Sequence, residues 1–162
     1  MSDRLPDYFT FASRATYVAG VVQALLRDYE GMQGRDGAYF CVSHQGTPIA
    51  GGLVGDVPKL DKREKYDRLS REKCRRLFEF RDLGHRLSRQ SMNESEEKYA
   101  GAVSGNENEY GFSGYLPDVD EIAGAMLAVG CGDMSRKDAR KLLRDNRYMS
   151  IVEFYFRDPE SD

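Results

Sequence analysis

The sequence has no tryptophan, two histidines and three cysteines in 162 residues, and each scarcity narrows what the chain can do. With only His44 and His85, a histidine-rich metal centre is out of reach and a general base has few candidates. Cys41, Cys74 and Cys131 are odd in number, far apart and without a Cys-x-x-Cys pair. That excludes a disulfide framework and a zinc knuckle, and the three are read as reduced thiols. No apolar run approaches the roughly 18 residues that span a bilayer. The polar start Met1-Ser2-Asp3-Arg4 lacks the layout of a signal peptide, so a cytoplasmic location without membrane contact is expected. A basic excess is missing too: at a net charge of −3, attraction of the whole surface to nucleic-acid phosphates is not expected. There is no internal repeat, no low-complexity stretch and no Gly-Lys-Ser/Thr phosphate loop.

What is there suffices for one domain over 1–162. Apolar residues make up 40% of the chain, and ten Tyr and eight Phe supply large side chains for a core. Phe11, Ala15, Val18, Val22, Leu25 and Tyr29 recur every three or four residues, which predicts a helix from near Thr10 or Ser13 that stops before Gly31. The apolar, partly β-branched runs 38–44 and 47–54, joined at Gln45-Gly46, predict a hairpin. Pro48 places its strand at an edge, and Gly51-Gly52 suggests a bulge.

A helix over 61–80 follows, opened by the capping pattern Asp61-Lys-Arg-Glu64 and lined by Tyr66, Leu69, Cys74, Leu77 and Phe80. Glu64/Arg68, Asp67/Arg71 and Glu72/Arg76 are acid-before-base pairs four apart that support it. The polar stretch 83–95 reads as a long connection. A second, glycine-rich hairpin is expected from 99–104 and 109–115. After it comes a small-residue helix capped by Asp118 and ending at Gly130 or Gly132, then a short helix from Ser135 to Arg144. The aromatic run 148–156 closes the chain as a strand before a frayed tail at 157–162. The expectation is an α+β fold: a five-stranded, mostly antiparallel sheet with packed helices, in the order α-β-β-α-β-β-α-α-β.

The residues Gly101-Ala-Val, Tyr110-Gly-Phe-Ser-Gly114, Asp118 and Asp120-Glu-Ile-Ala123-Gly-Ala125 carry a resemblance. This segment of about thirty residues resembles the GlcG/HbpS-like α/β sandwich family, in which a strand ending in a Gly-apolar-Ser-Gly turn leads into a helix with acidic residues at its start. The resemblance implies a five-stranded antiparallel sheet of profilin- and PAS-like outline. Some members of that family bind heme or are linked to small-molecule metabolism, but a shared fold does not carry a shared site. Where the family has Gly-Gly-x-Pro-apolar before the matched strand, this chain has Glu96-Glu-Lys-Tyr99.

Charge is unevenly placed. From 59 to 89 there are twelve Lys or Arg against six Asp or Glu, whereas 94–121 is acidic. Arg81, Arg86 and Arg89, with His85 among them, form the sharpest binding candidate, since guanidinium forks suit a small phosphate or carboxylate. Asp118, Asp120 and Glu121 are accounted for by helix capping and dipole compensation rather than a metal, and no cofactor is named by the residues. Cys41 and His44, three apart on a strand, point to opposite faces and make no dyad. Cys131 at a helix C-terminus is not activated.

Three functional readings follow. The first is a non-catalytic module that binds a small anionic ligand or a protein partner. It would be a homodimer through the aromatic strand 148–156, unless helices cover both faces of that strand. The second is an enzyme with a pocket between the sheet and the 83–95 connection, recognisable by His85 or Cys131 beside another titratable group. The third is a nucleic-acid contact through the basic 59–76 helix, which the acid-base pairing disfavours.

Overall fold

A computed structural model describes residues 7–159, so the polar start and the end of the expected tail lie outside the described residues. The chain runs α1 (Tyr8–Leu26), β1 (Gly37–His44), β2 (Thr47–Gly55), α2 (Leu60–Glu79), β3 (Ala102–Ser104), β4 (Asn108–Ser113), α3 (Pro117–Gly130), α4 (Arg136–Leu142) and α5 (Met149–Tyr155). Three short 3-10 turns lie in the connection between α2 and β3. The strands form a four-stranded antiparallel sheet ordered β2-β1-β4-β3. The α+β class and both hairpins are as expected, and β2 with its Pro48 is an edge strand.

Period-two alternation sorts the sheet's two faces. Phe40 and Val42 of β1, with Tyr110 and Phe112 of β4, join residues of α1, α3, α4 and α5 in the main core. On the opposite face α2 sits over Cys41 and Ala102, closing a small second cluster with Cys74 and Leu77. That approach depends on Gly111. A Cβ there would lie 2.9 Å from the Cys74 Sγ and 3.0 Å from the Ser70 carbonyl oxygen.

The fifth strand does not form: the run 148–156 contains helix α5 instead. Tyr148, Val152 and Phe156 are buried at a spacing of four, while Ser150, Glu153 and Phe154 are exposed, which is a helical face and not a strand's alternation. The aromatic residues that suggested a dimer are thus mostly inside the monomer, with Phe154 left outside. Three boundaries also move. Asp7 caps α1, accepting from the Thr10 N–H at 2.9 Å, so the helix starts before Thr10. Lys59, not Asp61, precedes α2, and Leu116 precedes α3, with Pro117 in the first turn where a missing N–H costs nothing. Ser135 does cap α4, accepting from the Asp138 N–H at 3.0 Å. The register irregularity of the first hairpin falls between Val42 and Ser43, leaving Ile49 as the extra residue, rather than at Gly51-Gly52.

The 83–95 connection is tied to the sheet's β3 edge. Ser104 N–H donates to the Arg86 carbonyl at 2.9 Å, Leu87 bridges to Val103, and the Ser88 hydroxyl accepts from Ala102 N–H at 3.1 Å. At the other end of β3, Asp133 fixes the β3–β4 turn. Its carboxylate accepts from Glu107 N–H at 2.8 Å, Asn108 N–H at 2.9 Å and the Tyr110 hydroxyl at 3.0 Å.

Candidate functional site

The acidic first turn of α3 organises the surroundings of the strongest candidate. Asp118 and Glu121, three apart, lie on one helical face and both receive Arg89 from the connection. Arg89 Nε donates to Glu121 Oε2 at 2.7 Å and Nη2 donates to Asp118 Oδ1. Asn146, in the turn between α4 and α5, donates through Nδ2 to the Asp118 carbonyl at 3.0 Å and to Glu121 Oε1 at 3.4 Å. Burial raises the Glu121 carboxyl above the ordinary range even against the pull of Arg89. One helix turn therefore anchors two separate loops.

Between those loops lies an open cavity of about 400 Å³, lined mostly by charged and polar residues. Arg86, Leu87, Arg89 and Gln90 form one wall; Asp138, Lys141, Arg144 and Asp145 face them, with Glu121 and Asn146 beneath. Gln90 shapes its wall by accepting from the N–H groups of Arg86 at 2.7 Å and Leu87 at 2.9 Å. Lys141 makes no ion pair among the described residues, and Arg144 reaches only the exposed Asp145 at 3.9 Å. Arg86 uses one nitrogen on the Ser104 carbonyl at 3.2 Å. Asp118 and Glu121 occupy Arg89, so the donors left facing the remaining volume are those of Arg86, Lys141 and Arg144, opposite the carboxylates Asp138 and Asp145; with Arg89, Asp118 and Glu121 included, four cations meet four carboxylates.

The four residues singled out from the sequence do not converge. Arg86 and Arg89 line the cavity. Arg81 stacks over the Phe78 ring at 3.8 Å and donates to the Phe78 carbonyl at 2.7 Å, beside a different recess. His85 packs on the Phe80 ring at 5.5 Å with its Nδ1 buried and without a hydrogen-bond partner among the described residues. Lys141 and Arg144, the distant half of the cavity, were not anticipated, because nothing local links them to residues more than fifty positions earlier. Neither His85 nor Cys131 lines this cavity, so the signature set for the enzyme reading is not met there. Burial pushes the Cys131 thiol up to about 11, the direction opposite to activation.

A second charged cluster went unread in the sequence. Lys73 of α2 and Asp120 of α3 are both buried, with Lys73 Nζ 2.7 Å from the Phe112 carbonyl and 3.4 Å from Asp120 Oδ2. Asp120 Oδ1 also accepts from Tyr115 N–H at 3.1 Å. The pair crosses the sheet where β3 has not yet begun, at Gly101, whose φ of +130 and crowded surroundings leave no room for a side chain. The signal was available: Leu69, Lys73 and Leu77 are four apart, which puts the lysine in the middle of the buried stripe of α2. Both side chains are almost wholly enclosed, at 2% and 3% exposure, so the pair joins α2 to α3.

Burial raises Asp120 to about 6 despite Lys73, and raises Glu72, Glu109 and Glu121 in the same direction. Each of these carboxyls binds its proton more readily folded than unfolded. Their contribution is therefore complete below the ordinary carboxylate value of about 4 and is lost as pH rises through the folded values. The thermal midpoint is expected to be higher at pH 5 than at pH 7; a scanning-calorimetry series in which it climbs from pH 5 to 7 would contradict this assignment.

Comparisons of this chain with protein-family models, with curated proteins and with solved structures find no match.

Proposed function

We propose that the chain is a non-catalytic module that binds a small anion of carboxylate or phosphate type in the cavity between the 83–91 connection and the α4–α5 turn. The observation that carries this reading is the unused donor capacity of the cationic groups there: among the described residues Lys141 makes no ion pair, Arg144 is weakly held and Arg86 only partly used, while the neighbouring acids Asp118 and Glu121 are held by Arg89. Arg86 supplies the planar fork and Lys141 a mobile point charge. Kinship with the GlcG/HbpS-like sandwich remains part of the proposal, resting on 101–125, the segment that forms β3, β4 and the start of α3.

The test is an NMR titration with inorganic phosphate and with acetate, following the backbone amides of 84–90 and 138–146. Saturable shifts confined to these two segments are expected. In Lys141→Ala/Arg144→Ala the affinity is expected to fall about tenfold or more, about 1.4 kcal/mol per tenfold. Arg27→Ala, at an exposed cation just after α1, serves as the control. Shifts that are absent, or equally strong in the double variant, would dispose of the reading.

A nucleic-acid surface on α2 is less well supported. Arg71 pairs with Asp67 at 3.2 Å, Arg75 with Glu79 at 3.5 Å and Arg68 with Glu97 at 3.0 Å, while Lys73 and Arg76 are buried. These cations have few counterions to release on meeting phosphate.

A further inference from the structure

We infer that β2 is a self-association edge, and that two copies of this chain join antiparallel through it to make one continuous sheet. The backbone directions follow from a single bond. Phe112 N–H donates to the Gly101 carbonyl at 2.9 Å, so even-numbered residues of β4 turn their N–H and C=O toward β3 and odd-numbered ones toward β1. Through the pairings Cys41 with Gly111 and Phe40 with Phe112, it is Phe40 and Val42 that serve β2, and their partners Gly52 and Ala50 that answer. Gly51 and Leu53 are left with N–H and C=O directed away from the sheet. Among the described residues the one hydrogen bond to them is from the Tyr8 hydroxyl, at a long 3.5 Å from the Gly51 carbonyl.

Three further observations select a second copy as the occupant. Residues 47–55 contain no charged side chain, so an antiparallel pairing of the strand with itself sets no like charges opposite each other. Many natural edge strands carry a lysine or an inward charge to forbid this pairing; here Pro48 and the irregularity at Ile49 protect only the first residues. Ile49 and Leu53 are 40% and 38% exposed on either side of Gly51, so a two-fold axis at Gly51 sets Leu53 of each copy toward Ile49 of the other. Finally, Asp67 and Arg71, paired at 3.2 Å, flank a shallow recess with Pro48, Ala50 and Gly51. The same axis brings Asp67 of one copy toward Arg71 of the second, so the flanking charges are complementary.

Native mass spectrometry of the full chain, with amide hydrogen exchange of Gly51 and Leu53 followed by NMR, tests this. The wild type is expected to show a dimer whose Gly51 and Leu53 amides are protected although neither has an acceptor among the described residues of its own chain. Leu53→Lys, a change at an exposed side chain, is expected to abolish the dimer and that protection while leaving the thermal midpoint of the monomer in place. A purified wild type that stays monomeric, as it would if an unlike partner used the edge, overturns the inference. So does a dimer that persists in Leu53→Lys with these two amides exchanging freely.

Discussion

Replacing Lys73 by alanine is expected to remove about 3–5 kcal/mol of folding stability, the usual cost of leaving one member of a buried ion pair alone. Two acceptors lose their donor at once: the Phe112 carbonyl, 2.7 Å from Nζ, and Asp120 Oδ2 at 3.4 Å. Both acceptors are shielded from water in the fold, since Phe112 is 0% exposed and the Asp120 side chain 3%. For a chain of this size, about 2–4 °C of thermal midpoint per kcal/mol turns the loss into a fall of roughly 6–20 °C. The pair itself is a different matter, since burying two charges costs nearly what their attraction returns. Lys73→Met/Asp120→Asn keeps an acceptor for the Tyr115 N–H and is expected to recover most of the deficit. Urea denaturation of the three proteins measures this directly. A single variant within 1 kcal/mol of wild type, or a double variant as unstable as the single one, would show that the pair does not join α2 to α3 as described.

Gly111→Val is the second large effect. A Cβ at 111 falls 2.9 Å from Cys74 Sγ, 3.0 Å from the Ser70 carbonyl and 3.4 Å from the Ala102 Cβ, and none of these is the end of a flexible side chain. Two further methyl groups have no space unless α2 lifts from the sheet, which would open the cluster of Cys41, Cys74, Leu77 and Ala102. Overpacking commonly costs about 1–3 kcal/mol and more when backbone must move, so a loss at or above the top of that range is expected. Gly20, on the exposed side of α1 with nothing within 4 Å of its would-be Cβ, is the internal contrast. Gly20→Ala is expected to stabilise the helix by about 0.5–1 kcal/mol. If the two variants melt alike, tight packing of α2 on Gly111 is refuted.

The two hairpins, α1 to α3 and α4 could be read from the sequence because local pattern decides them. Period-two runs broken at Gln45-Gly46 give the first hairpin, and four-residue spacing gives α2. The last element was misread because its aromatic and β-branched content pointed to a strand, whereas the spacing of Tyr148, Val152 and Phe156 pointed to a helix; the spacing prevailed, since these three cover the core together. The site was half legible. Arg86 and Arg89 sit in one polar stretch, but Lys141 and Arg144 join them only through the fold. Asp118, Asp120 and Glu121 had a sufficient local explanation as helix-start acids, and this concealed partners 29 to 47 residues away in Arg89 and Lys73. Charge at a buried position is the one thing that composition and period both assign to solvent, so Lys73 is where such reading fails.

The two margins of the sheet are unlike, and that difference limits growth. Along β3 the valences of the backbone are already spent on Arg86, Leu87 and Ser88 of the same chain. Along β2, among the described residues, Gly51 and Leu53 meet only the distant Tyr8 hydroxyl. A subunit with one reactive margin behaves as a monofunctional monomer does in polymer chemistry: once it has coupled, no end remains to propagate. Association through β2 therefore terminates at two copies, and the segment that walls the cavity also acts as the chain stopper that keeps an uncharged, glycine-rich strand from seeding a fibre.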